Sequence, residues 1–298
     1  MLDYIRYLLH LLVFFSLSFF FFWFLTNQFI DKFQLSNSWT VRIRTPDSMQ
    51  EIEVIASQLI LCTGSSPTVV PIPVSGLSIE RLDLDTVLQP SKLAKTFSTE
   101  ELSTIAVIGA SHSAILALMN LYELSRSKPT THAQLRIKWF TRHPLRYAEF
   151  MDGWILRDNT GLKGQAAQFA REHLEDDSLP VSDAGKFIEK IDCAGGSQKE
   201  TLAYETHLPG CTHIVHAVGY TRDPIPPLSR NGQPLDSLEF DHTAGDFRDK
   251  KSGMIIKGLH GAGIAFPERV VDPHGNVEYA VGFFKFMKFL KRVVPMWS

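Results

Sequence analysis

Apolar and polar positions divide the chain into buried strands, alternating strands and a few helical stripes. Ile105 to Ile108 are all apolar and predict a strand buried on both faces. The turn GASHSA, Gly109 to Ala114, then leads straight into an apolar-periodic helix that runs to about Ser125. Upstream, Thr40 to Arg44 and Glu51 to Ile55 alternate on either side of the turn TPDS, predicting a small antiparallel meander. A buried strand QLILCT, Gln58 to Thr63, follows, and Ser98 to Leu102 carries helix-start chemistry. Downstream the pattern predicts a strand over Leu135 to Thr141 and a helix over Gln165 to Leu174, striped by Ala166, Phe169, Ala170 and Leu174. It continues with a strand over Lys186 to Ile191, a tight hairpin AGGSQKE into Thr201 to His207, and a buried strand over His213 to Ala217. The tail reads as a strand over Met254 to Lys257, a glycine-rich GLHGAGIAFP, and a helix from Asn276 to about Arg292. That helix gathers Lys285, Lys288, Lys291 and Arg292 toward its C-terminal end, where they suit the helix dipole. We read it as a packed terminal helix, with a basic amphipathic membrane-surface helix as the alternative.

Two strand ends share one grammar. CTGSSP after the strand at Cys62 and AVGYTRDP after the strand at Ala217 each end in glycine and then leave the sheet through prolines. They bracket an inserted unit, giving expected segments 1–26, 27–102, 103–206 and 207–298. The first is an apolar run from Tyr7 to Leu25, long enough to span a bilayer core and lacking a small-residue cleavage site.

Composition is that of a globular chain of 298 residues, with 44% hydrophobic and 21% charged residues and a formal net charge of -2. No basic block marks a nucleic-acid binder. Cys62, Cys193 and Cys211 are far apart and form no C-x-x-C, which removes a dithiol redox pair, a disulfide framework and a zinc site.

The chemistry concentrates at the Gly109 turn. In the pattern G-x-G-x-x-G/A the first glycine makes the tight turn, the second admits the pyrophosphate, and the third allows close helix-on-strand packing. Those positions are Gly109, Ser111 and Ala114, with Ala110, His112 and Ser113 between them; Ser111 departs from the pattern. A side chain at Gly109 is expected to obstruct phosphate while leaving the fold largely intact. Arg142 ends the next strand, where an arginine accommodates the 2′-phosphate of NADP(H); the alternative is a solvated basic loop shared with Arg146. His112 and His260 lie nearest the motifs and read as loop histidines without a partner, so no catalytic residue is assigned.

Together these residues resemble the two-dinucleotide-binding-domain flavoproteins, and among them the flavin-containing monooxygenases, including the lysine and ornithine N-hydroxylase type. The resemblance runs from about Phe33 to Phe289. It implies an α/β, Rossmann-like fold with an NADP domain inserted in an FAD domain. VIGASHSA resembles the NADPH fingerprint, and the crossings CTG (Thr63, Gly64) and AVGY (Gly219) resemble the points where the chain passes between domains. GLHGAGI, with Gly261 and Gly263, resembles the late FAD motif, with Ile264 at the usual acid position. One departure is large: the opening G-x-G-x-x-G of the FAD domain is missing, so that domain is incomplete.

The resemblance implies an NADPH-dependent flavoprotein oxidoreductase of monooxygenase type, with FAD and NADP as cofactors and a small-molecule substrate that the motifs leave unnamed. A second reading is a truncated, non-catalytic NADP-binding protein. A nicotinamide-only dehydrogenase of the short-chain type needs a lysine four positions after a tyrosine, yet Tyr122 is followed by Arg126 and Tyr147 by Met151. The motifs carry no signal of oligomeric state.

The first 28 residues change character abruptly. Phenylalanine- and leucine-rich translation is what a pyrimidine tract would give, and Thr26-Asn27-Gln28 can be encoded as ACT-AAC-CAG, with a branch-point-like CTAAC and a CAG acceptor. We therefore expect a gene-model artefact, a retained intron read as protein. The rival is a true signal-anchor helix, and the two predict a cytoplasmic and a single-pass membrane protein respectively.

Overall fold

The computed structural model describes residues 22–23, 34–35, 38–44, 51–97, 102–127 and 135–297. The chain forms two compact units, Pro67–Thr221 and a second made of Met1–Ser66 with Arg222–Ser298.

Pro67–Thr221 is built on a five-stranded, all-parallel sheet. Its strands are β1 (Glu80–Leu82), β2 (Ser103–Ile108), β3 (Leu135–Thr141), β4 (Ile188–Asp192) and β5 (His213–His216), in the spatial order β4-β3-β2-β5-β1. Three helices accompany them: α1 (His112–Ser127), α2 (Gly164–His173) and α3 (Ser197–His207). Because side chains alternate across a strand, Ile105 and Val107 of β2 join the core beneath α1 and α2, whereas Ala106 and Ile108 join the one beneath α3. Both faces are covered, which is why β2 reads as an unbroken apolar run. Ile115, Leu118 and Leu121 bury one stripe of α1 completely, each contributing about 1.5–3 kcal/mol.

The hairpin predicted through AGGSQKE is instead a crossover. β4 and the next strand, β5, run parallel in one sheet, so the chain must return across a face between them, and residues 197–207 do so as α3. Gly195 and Gly196, at φ +106° and +100°, make the turn that starts it. Tyr204 is the one buried residue within α3, and Leu208 at its C-cap is buried too, so the helical stripe was too narrow to show in the sequence. Two short helices, Leu84–Val87 and Pro90–Thr96, occupy a stretch read as loop. Most of the helix start expected at 98–102 lies outside the described residues.

The second unit holds the predicted meander, Gln34–Leu35, Ser38–Arg44 and Glu51–Ala56. Beside it in the chain, Leu59–Leu61 runs parallel to Ile255–Gly261, which continues antiparallel into Asp246–Asp249 and Leu238–Phe240. The glycine-rich GLHG thus begins within a strand. The helix expected from residue 276 is divided: Val277–Ala280 is a strand paired with Glu268–Val271, and the helix α4 spans Phe283–Val293. Gly282, at φ +134°, separates them. Apolar residues continue across that boundary, which hid it.

The predicted N-terminal apolar helix has no support. Within it, Phe22–Trp23 is a short strand parallel to Ile60 and Leu61, and the rest of 7–25 lies outside the described residues. Among the described residues no helix is long and apolar enough to cross a membrane.

Candidate functional site

At the carboxyl ends of the parallel strands in Pro67–Thr221, a cavity of about 230 Å³ opens beside the Gly109 turn. It lies where the connections leave β2 for β3 on one side and return to β5 on the other, the switch point at which open α/β sheets bind ligands. Gly109, Ala110 and Ser111 line it together with Arg142, His143 and Arg146 from the segment after β3. Cys193 after β4, Tyr204 of α3, and Ala217 and Val218 after β5 also line it.

The turn is held from both neighbouring strands. The Gly109 N–H donates to the Phe140 carbonyl at 3.0 Å, and the Gly109 carbonyl accepts from Trp139 Nε1 at 2.7 Å. The Ala217 N–H donates to the Ile108 carbonyl at 2.8 Å. Gly109 has φ +132°, and a Cβ there would stand 2.2 Å from the Ala217 carbonyl oxygen and 2.9 Å from its carbon. The glycine is therefore required by the backbone itself, which corrects the expectation that a side chain would spare the fold. The same Cβ would lie 3.4 Å from that of Ala114, whose small, fully buried side chain lets α1 approach.

Ser111 is exposed, and its carbonyl accepts from the Ile115 N–H at 3.1 Å, starting α1. An exposed serine at this place leaves the approach to the helix N-terminus open. His112 opens α1 rather than lying in a loop; burial and then the Lys163 charge hold its imidazole below the usual range. Ser113 hydrogen-bonds Tyr220, whose hydroxyl also donates to Asp85 Oδ1 at 3.0 Å. Neither His112, Ser113 nor Ala114 lines the cavity, so the motif divides into a ligand-facing half and a packing half.

Arg142 lies half exposed, with Nη1 3.8 Å from Glu200 Oε1. The same oxygen accepts from the Tyr204 hydroxyl at 2.9 Å, and burial followed by that bond raises the phenol well above its ordinary range. Burial pushes the Cys193 thiol up to about 11, so it stays protonated and unreactive. His143, Tyr204, Cys193 and Glu200 were not singled out from the sequence as ligand residues. Three of them depend on β4 running parallel to the central strands and on α3 crossing back from it as a helix, and α3 had been read as a strand.

The remaining expected site residues lie elsewhere. Thr63 Oγ1 donates to the Asp223 carbonyl at 3.4 Å, and the Asp223 N–H donates to the Gly64 carbonyl at 3.1 Å. Gly219 has φ +116° and open space around it, in the loop after β5. Gly261 has its vacant face filled: a Cβ would meet Phe266 Cγ at 2.7 Å and Phe240 Cε2 at 2.8 Å. Gly263, at φ +76°, has no such neighbour. His260 belongs to a strand and not a loop; its Nδ1 lies 2.8 Å from Asp246 Oδ1 and its ring stacks on Trp297 at 4.2 Å.

Parallel strands wound on both faces, with a glycine turn and basic residues at the switch point, give this unit a Rossmann-like α/β layout. No protein-family model matches the chain. Monooxygenase AgnR1 of Paecilomyces divaricatus is 67% identical over 261 residues, a match covering 88% of this chain and 65% of that relative. The chain therefore spans less than two thirds of the relative's length. The chain is also similar to an FAD-dependent pyridine nucleotide-disulphide oxidoreductase from Desulfovibrio vulgaris (13% identity, TM-score 0.39, 84% of this chain and 56% of that one). A second solved structure is the cadaverine monooxygenase DfoA of Erwinia amylovora bound to FAD (15% identity, TM-score 0.29, 84% and 57%). The resemblance read from the motifs is borne out: the chain is a partial homologue of a monooxygenase.

Proposed function

We propose that the chain is part of an NADPH-dependent oxidoreductase of monooxygenase type and that its cavity takes the 2′-phosphoadenosine end of NADP(H). One observation carries this reading: a single cavity at the strand switch point brings the Gly109–Ser111 turn together with Arg142, His143 and Arg146. The turn and the N-terminus of α1 would face the pyrophosphate. The arginines would face the 2′-phosphate, whose oxygens a guanidinium meets two at a time. Support for the reaction class comes from the relative named a monooxygenase.

For flavin the fit is incomplete. Gly261 is closed by Phe240 and Phe266, and its N–H already donates to the Gly245 carbonyl. Of the expected FAD residues in the second unit, Gly263 alone shows open space. FAD, when bound, would supply the redox centre, and we derive no step through it from these residues.

Fluorescence titration of NADPH and NADH against wild type and Arg142→Ala tests the assignment. Loss of a contact to a charged group costs roughly 1.5–3 kcal/mol, so NADPH binding should weaken at least about tenfold while NADH changes little. An unchanged NADPH/NADH ratio removes Arg142 from the site.

A further inference from the structure

The NADP(H) reading leaves unexplained one charged group that does not line the cavity but neighbours two residues that do, Arg142 and Tyr204. Glu200 sits in the first turn of α3, its side chain 21% exposed, and its Oε1 is already bonded by Tyr204 from the next turn of the same helix. The Tyr204 hydroxyl, donating at 2.9 Å, holds that carboxylate oxygen in place. Arg142 is 3.8 Å away, longer than the roughly 2.7–2.9 Å of a charge-assisted hydrogen bond. Among the described residues the Arg142 side chain makes no hydrogen bond. It is attracted by Glu200 without being locked to it. The other acid of this neighbourhood, Asp192, is engaged by Lys199 at 2.8 Å. Arg146 adds a second guanidinium to the cavity lining.

We propose that Glu200 is a built-in competitor of the 2′-phosphate for Arg142, a specificity-setting anion that holds down affinity for 2′-phosphorylated nucleotides. The inference rests on the NADP(H) reading above. A phosphate approaching Arg142 meets a carboxylate on the same guanidinium, and the two negative groups repel through a partly water-excluded wall. A nucleotide with a free 2′-hydroxyl brings no such charge and is indifferent to Glu200. The pair thereby weakens the hold on a 2′-phosphate without removing the guanidinium that recognises it.

Calorimetric titration with adenosine 2′,5′-bisphosphate and with 5′-AMP tests this without any flavin. Partly exposed ion pairs are worth about 0.2–1 kcal/mol, so Glu200→Gln should tighten the bisphosphate roughly 1.5- to fivefold and leave AMP unchanged. In an Arg142→Ala background the gain should vanish. Glu200→Ala reads the same ratio if the glutamine variant folds poorly. Unchanged or weaker bisphosphate binding in both Glu200 variants overturns the proposal, the weaker result making Glu200 a positioning residue for Arg142. Wild-type bisphosphate affinity in Arg142→Ala alone removes Arg142 from the nucleotide site, the reading on which the proposal rests, so the two failures are told apart.

Discussion

Gly109→Ala is the sharpest perturbation the geometry offers. At φ +132° a residue with a Cβ is strained by about 1–3 kcal/mol. The added carbon also falls 2.2 Å from the Ala217 carbonyl oxygen, a backbone atom in the loop directly after β5. Separating them forces β2 from β5 and strains the Ala217 to Ile108 hydrogen bond, an overpacking cost of about 1–3 kcal/mol more. The total, about 2–6 kcal/mol, is a large share of the roughly 5–15 kcal/mol that holds a domain together. Gly219→Ala is the control, since φ is +116° but no atom lies within 4 Å of the new carbon; it should cost only the strain. Urea unfolding followed by tryptophan emission suits the pair, because Trp139 is fully buried and bonded to the Gly109 carbonyl. Equal unfolding midpoints for the two variants would refute the argument that the Ala217 carbonyl dictates the glycine.

In the other unit, Gly261→Ala should cost about 1–3 kcal/mol by pressing on Phe266 and Phe240, with a lowered thermal midpoint as the readout; a wild-type midpoint would show that those rings yield freely. Acid should destabilise the fold through His216 and His260, whose imidazoles burial holds below the ordinary 6.5. Their folded pKa values are depressed, so this stability is complete above 6.5 and lost as pH falls through the lower folded values. Denaturant midpoints measured on the acid side of neutrality should fall for wild type and fall less for His216→Leu; parallel profiles would count against the histidine.

Where burial is one-sided or complete, the sequence was readable. β3 lies over 135–141 as expected, and β2 announced itself because both of its faces are covered. The short helices after β1 went unread although their signals were present: Asp83 accepts from the Thr86 N–H, and Pro90 opens the second. α3 and the strand before α4 were misread for opposite reasons, one with too little apolar periodicity and the other with too much. Within the cavity, Gly109, Ala110, Ser111 and Arg142 were legible because they end adjacent parallel strands. Tyr204, and Glu200 beside it, were not, since only the crossover brings α3 to that edge.

The three buried thiols give the molecule internal clocks of its own opening. Cys62 packs with Phe289, Val293 and Trp297, and burial pushes its thiol up to about 12, while Cys193 and Cys211 lie among Phe140, Tyr204 and Leu208. A thiol-specific dye reacts with the thiolate and needs access, so none of the three is labelled while its own core stays closed. Because one thiol belongs to one unit and two to the other, labelling rates resolved by peptide report how often each unit opens, with no probe engineered into the chain.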